Sequence, residues 1–162
     1  MKNIGDLLMY KKDVCKVVDI IKNPFNDKMC YVLNPVCDEK LKLTVPIDTK
    51  SIRNLMTKEE VLELIKKIPE VEEFQSNSVN IEKIYKDILH DASPIDLVKV
   101  IKTSYLRNQR RINNKKKISD RDDRYFKESE KILYNEIAYS LGITYEEAKE
   151  FIKTKVEEYI NG

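Results

Sequence analysis

The apolar positions of this chain follow two patterns, and the change comes near residue 55. Before it, short runs rich in β-branched and aromatic residues sit between turn signals, the pattern of strands. Leu7, Leu8, Met9 and Tyr10 form a brief apolar run after Gly5-Asp6. Residues 14–21 (VCKVVDII) are rich in β-branched side chains, and residues 29–33 (MCYVL) resume the pattern across the Asn23-Pro24 break. Asn34-Pro35 predicts another turn, after which residues 41–45 (LKLTV) alternate, one face apolar and one polar.

Beyond residue 56 the apolar residues recur at three- and four-residue steps, the helical spacing, and most of the helices carry an identifiable cap. Thr57 with Glu60 has capping-box spacing ahead of Val61, Leu62, Ile65 and Ile68, and Pro69 follows the last apolar position. Asn80 is placed to cap a helix bearing Ile81, Ile84, Tyr85 and Ile88. Ser93-Pro94 combines an N-cap with proline at the first helical position, opening a helix with Leu97, Val98, Ile101 and Tyr105 at helical spacing. Ser119 with Asp122 opens a longer helix with Phe126, Leu133, Ile137 and Leu141 inward, stopped by Gly142. Thr144 with Glu147 opens the last, buried through Ala148, Phe151, Ile152, Val156 and Tyr159.

Four or five short strands within about 50 residues predict a small, strongly bent barrel of the SH3 or Tudor kind. Five helices with short connections predict a compact bundle. The expected fold class is α+β, with the barrel over residues 1–56 and the five-helix bundle over 57–162. Three glycines in the whole chain are few for the turns of such a barrel.

Composition narrows the classes of function. A chain of 162 residues can bury one good core or two small ones, and 41% hydrophobic residues with clear periodicity argue against disorder despite 36% charged content. No apolar run approaches the roughly 18 residues that span a bilayer, so no membrane association is expected. The start, MKNIGDLLMYKKDV, lacks both a long apolar core and a small-residue cleavage site, against a secretory signal. Cys15, Cys30 and Cys37 are odd in number without CxxC spacing, and His90 is the only histidine, against a four-ligand zinc site. Buried, reduced thiols in strands and a cytoplasmic location are expected, with no metal and no cofactor.

Charge adds the one candidate for chemistry. Residues 102–117 (KTSYLRNQRRINNKKK) hold seven basic residues and no acidic one, in a chain of formal net charge +2. Arg107, Arg110 and Arg111 fall close together along one side of the helix, Asn113 and Asn114 break the pattern, and Lys115, Lys116 and Lys117 extend the charge into a loop. Residues 59–91 carry nine acidic and four basic side chains and residues 136–162 carry six and three, so the basic stretch lies between two acidic segments. Such asymmetry would orient a domain on a polyanion. A solvated helix end, with cations complementing the dipole, has the same composition.

The order of the parts resembles that of CarD-like bacterial transcription factors. The resemblance rests on Ile4-Gly5-Asp6 through Tyr10, Tyr31-Val32-Leu33, Leu43-Thr44-Val45-Pro46 and Ile52-Arg53-Asn54-Leu55. Downstream it rests on Tyr105-Leu106-Arg107-Asn108-Gln109 and on residues 119–136. The motifs are short, and their order over nearly the whole chain carries the specificity. The resemblance implies a Tudor-like N-terminal domain that binds the β subunit of RNA polymerase. It also implies a helical domain that touches promoter DNA, mostly by its backbone, at the upstream edge of the bubble and stabilises the open complex. By resemblance Arg53 falls at the polymerase contact, and Lys83 and Arg107 at positions that approach DNA. Arg110, Arg111, Lys115, Lys116, Lys117 and Arg124 complete the expected DNA-binding set. A monomer is expected.

Three departures qualify the resemblance. Lys11-Lys12-Asp13-Val14 follow Tyr10, where the family has proline, histidine and glycine. The family places a tryptophan wedge before the second helix of the bundle; this chain has no tryptophan, and Ser78, next to Asn77, is the equivalent position. Residues 112–117 look like an insertion that adds three lysines. Two other readings compete. Asp120, Asp122 and Asp123 have the composition of a magnesium site, but at a helix start carboxylates cap and complement the dipole, so no catalytic residue is expected. An RNA- or ribosome-associated module would also use a small barrel and a basic helix.

Overall fold

The computed structural model describes residues 1–75 and 80–161, the last three of them (159–161) by backbone alone. The chain divides into two compact units, Met1–Leu55 and Met56–Gly162. The first is a curled, five-stranded antiparallel half-barrel and the second is helical, an α+β chain.

In the first unit the strands are β1 (Leu7–Tyr10), β2 (Asp13–Lys22), β3 (Met29–Pro35), β4 (Leu43–Pro46) and β5 (Ile52–Arg53), in the order β4-β3-β2-β1-β5. The ten-residue β2 is the spine, pairing with β1 on one side and β3 on the other. Its register against β3 shifts between Val17 and Asp19. A bulge at that place bends the strand and increases its twist, which curls the sheet. The sheet stays open: β5 contributes two residue pairs, Met9–Arg53 and Tyr10–Ile52, and β4 and β5 stand at opposite edges. Leu8, Cys15, Val17, Tyr31, Leu33 and Val45 fill the concave core.

The scarcity of glycine is met in two ways. Gly5 takes a positive φ of 97°, and Lys11 (55°) and Asp27 (58°) adopt the left-handed region without being glycine. Lys11 opens the two-residue connection from β1 to β2, and its N–H bonds Ser51 O at 3.0 Å. The second way is side-chain bonding. Asn34 and Pro35 close β3 rather than starting a turn, and the Asn34 amide donates to the carbonyls of Asp38, Glu39 and Leu41 at 3.1, 3.0 and 2.6 Å. One side chain thus organises the whole β3–β4 connection.

The second unit has α1 (Lys58–Lys67), a 3-10 turn (Ile68–Glu70), α2 (Ile81–Asp91), α3 (Pro94–Asn113), α4 (Asp120–Leu141) and α5 (Tyr145–Asn161). Among the described residues no helix is long and apolar enough to cross a membrane. The caps at Thr57–Glu60 and Thr144–Glu147 are reciprocal, with all four bonds between 3.1 and 3.2 Å. Ser119 Oγ accepts the N–H of Asp122 at 3.3 Å, while Asn80 and Ser93 stand at their caps without a side-chain capping bond. Gly142 (φ 67°) ends α4, and Ile143 N–H reaches back to Ala138 O at 3.0 Å, as in a Schellman motif.

The core runs through Val61, Ile65, Ile81, Tyr85, Leu97, Val100, Leu133, Ile137, Ala148 and Ile152. Three positions differ from their expected burial. Leu64 is buried in α1 while Leu62 is only partly so, and Tyr105, expected inward, is half exposed against Phe126. Tyr159 lies outside the side chains described. A buried acid sets where the unit begins: Glu136, with no exposure, accepts the N–H of Met56 at 2.9 Å, and Ser140 Oγ donates to Met56 O. Met56 belongs with the helices, one residue ahead of the division expected from the pattern.

The thiols differ in exposure. Cys15 and Cys30 are buried in strands, whereas Cys37 is exposed in the β3–β4 connection. Burial above all, then the charges of Asp13 and Cys37, pushes the Cys15 thiol up to about 12, and only a thiolate attacks an electrophile. Brief alkylation of the native protein at pH 8 is expected to label Cys37 alone, with Cys15 and Cys30 following on unfolding. Peptide mass mapping checks this, and equal early labelling of all three would contradict the burial pattern.

Candidate nucleic-acid interface

The basic stretch begins on α3, whose 20 residues extend about 30 Å at 1.5 Å per residue. Its buried face is apolar at Leu97, Val98 and Val100 and turns polar at Thr103, Ser104 and Asn108. Each of these polar groups has a partner. Thr103 Oγ1 accepts the N–H of Phe74 at 2.9 Å, and Ser104 Oγ donates to Val100 O at 2.7 Å. The Asn108 amide accepts from Ser119 N–H at 2.8 Å and donates to Ser119 O at 3.3 Å. That clamp joins the last part of α3 to the cap of α4. Residues 113–118 project beyond it, all exposed.

Beneath the loop lies a buried polar junction. Asp122, 1% exposed, accepts from Tyr85 Oη–H at 2.8 Å and from Arg107 Nε–H at 3.1 Å. Three helices, α2, α3 and α4, therefore meet on one carboxylate. Burial first, then the bond to Asp122, raises the Tyr85 phenol above its ordinary range, so it stays protonated and donates. Tyr125 packs on the Tyr85 ring with centroids 5.1 Å apart, and its hydroxyl donates to Glu82 at 3.3 Å.

Most cations of the stretch have a partner within the unit. Lys102 Nζ donates to the carbonyls of Ile68 and Pro69 at 3.0 and 3.3 Å, in the 3-10 turn that follows α1. Arg107 is largely buried on Asp122. Arg110 makes a two-pronged pair with Glu73, one arm at 3.0 Å, and Arg111 Nε donates to Lys117 O at 2.7 Å. Arg124 reaches Glu82 at 3.4 Å, and Lys83 stands exposed on α2. Among the described residues, Lys115, Lys116 and Lys117 make no ion pair; Lys115 holds the loop's bend at φ 59°.

Arg107, Arg110 and Arg111 line a common cleft with Ser119, Asp122 and Arg121. Arg121 carries no signal in the sequence, because the partner it reaches, Glu82 at 3.9 Å, lies on α2. The other aspartates of that turn have separate surroundings: Asp123 pairs with Lys127 at 2.8 Å and Asp120 is exposed. Arg53 lies apart from these residues in sequence, on the edge strand β5, with Nη1 donating to Asn54 O at 3.1 Å. It lines a recess of about 520 Å³ with Lys2, Asp6, Tyr31 and Ile47 among others. Asn77 and Ser78 lie outside the described residues. Phe74, four residues upstream of Ser78, packs against the helical core with Lys99 Nζ over its ring at 4.6 Å.

Compared with known proteins, the chain matches no protein-family model, and no curated protein is significantly similar to it.

Removing the shared acceptor should cost more than removing one donor. Asp122→Ala leaves Arg107 and Tyr85 without their acceptor, an expected loss of about 3–5 kcal/mol. Tyr85→Phe removes one of the two donors and leaves Asp122 Oδ1 buried without it, at about 1.5–3 kcal/mol. Urea unfolding followed by helical circular dichroism tests the order; equal costs would mean that Asp122 is not the shared anchor.

Proposed function

We propose that this chain is a non-enzymatic transcription factor of the CarD-like kind. In this reading the half-barrel is a Tudor-like module that holds the β subunit of RNA polymerase through the β5 edge and Arg53. The helical unit, a five-helix bundle, contacts promoter DNA and stabilises the open complex. The observation that carries the DNA half is the loop of Lys115, Lys116 and Lys117, exposed and without internal ion pairs among the described residues, at the head of two long helices. Three adjacent ammonium groups fit a phosphate backbone without reading bases. The polymerase half rests on the sequence resemblance around Arg53.

Two modest contacts on one chain reinforce each other, because the first raises the effective concentration of the second. A factor that binds the melted promoter better than the closed one shifts the population towards open complex by that difference in affinity. Arg110 is held by Glu73 and Arg107 by Asp122, so the loop lysines carry most of the electrostatic contact and Arg110 contributes after changing partner.

Three outcomes are expected with the full chain. Its affinity for duplex DNA falls with salt, and replacing Lys115, Lys116 and Lys117 by glutamine flattens the log–log slope by roughly 2.7, at about 0.9 per phosphate contact. Glu73→Gln releases Arg110 and raises DNA affinity severalfold at low salt. Arg53→Glu weakens capture of a polymerase β-subunit fragment by about 2–5 kcal/mol if the pair is desolvated, leaving the DNA slope unchanged. Fluorescence anisotropy and pull-down measure these; a salt-independent interaction, or recovery of ribosomal particles in place of polymerase, would favour the RNA-associated reading.

A further inference from the structure

The cleft between α3 and the first turn of α4 has a charge pattern that the loop lysines do not share. Arg107, Arg110, Arg111 and Arg121 line it with Ser119 and Asp122, around a volume of about 370 Å³. Four arginines and one aspartate thus line it; both oxygens of the aspartate are already bonded, to Tyr85 and Arg107, while Arg110 and Arg121 also reach Glu73 and Glu82. Arg121 Nε is buried without a hydrogen-bond partner among the described residues, and the arginine's contact with Glu82 runs through Nη1 at 3.9 Å. Ser119 Oγ accepts from Asp122 N–H, which leaves its own hydroxyl hydrogen to donate.

We propose that this cleft is a binding site for a phosphoryl group, and for a diphosphate in preference to a single phosphate. The shape of the donor set selects the ligand. A planar carboxylate is satisfied by one arginine fork, as Glu73 satisfies Arg110. Donors arriving from two helices suit a tetrahedral group with three strong acceptor oxygens and up to two negative charges. Each guanidinium has five N–H donors, and the known bonds use one from Arg107, two from Arg110 and one from Arg111. The open cleft, of about 370 Å³, is larger than a single phosphoryl group fills. Arg107 and Asp122 of the site are held in the buried junction, and the site stands whether or not the lysine loop binds DNA. A free diphosphate and the phosphorylated end of a nucleic-acid strand present the same chemistry.

The test is a titration of the full, isotope-labelled chain with inorganic phosphate and pyrophosphate at constant ionic strength set by chloride. Saturable shifts confined to residues 107–111 and 119–122, with pyrophosphate at least tenfold tighter, are expected. Arg111→Gln with Arg121→Gln should weaken pyrophosphate binding tenfold or more, while the charge-matched pair Lys66→Gln with Lys131→Gln, on exposed lysines outside the cleft, should not. Displacement by a short single strand bearing a 5′-phosphate, but not by the same strand without it, would assign a nucleic-acid end; displacement by a nucleoside diphosphate alone would assign a free ligand. Shifts that rise linearly and spread over all basic residues, or equal weakening by both double variants, would overturn the site. If the double-arginine variant does not fold, the wild-type shift map decides by the same criteria. Failure of the wild-type chain to bind duplex, with pyrophosphate binding intact, would count against the DNA reading and leave this one standing.

Discussion

A carboxylate at 1% exposure is tolerated only when donors take up its oxygens, and Asp122 meets that condition with groups from two other helices. Tyr85 donates from α2 and Arg107 from α3, while the acid itself sits in the first turn of α4. The apolar stripes could tolerate small slides of one helix along another, since hydrophobic contact is not directional. Two short, charge-assisted or buried bonds to one acceptor cannot. The junction therefore fixes the register of α2, α3 and α4, and with it the positions of the arginines above and the loop beyond.

The basic stretch divides by depth. Lys102 serves the 3-10 turn after α1, Arg107 the buried acid, Arg110 a surface glutamate and Arg111 a loop carbonyl. The acidic segment 59–91 supplies Glu73 and Glu82 as internal partners for arginines. Part of what looks along the chain like a field for steering a polyanion is thus charge balanced within the unit, and the exposed remainder is concentrated in three consecutive lysines. Ion pairs of the exposed kind contribute at most about 1 kcal/mol each, so Arg110 and Arg124 can exchange partners at small cost. Arg107 cannot.

Legibility in the sequence followed range. Caps are local, and Thr57 with Glu60, Ser119 with Asp122, and Gly142 all sit where their spacing placed them. Strand positions were readable for the same reason, although curling depends on a bulge in β2 that alternation alone does not reveal. What escaped were groups defined by partners far away in the chain. Glu136 reads as one more charged residue on a helix, yet it is buried on a backbone N–H 80 residues earlier. Asn108 looks like a polar break in a basic run, Arg121 like a neighbour of the more exposed Arg124, and Arg107 like a free cation. Tyr105 shows the reverse error: its spacing fits the stripe, but the helix face has turned outward by that point and the ring is half exposed.

Asn108 has one more consequence. By bonding both backbone groups of Ser119, it closes the ring of residues between them as a staple would. The intervening loop then hangs from a fixed base, and lengthening such a loop costs only about 0.6 kcal/mol per doubling of its length. Within that frame the number of lysines can change by insertion or deletion while α3 and α4 keep their places. The charge of the loop can thus change at almost no cost to folding.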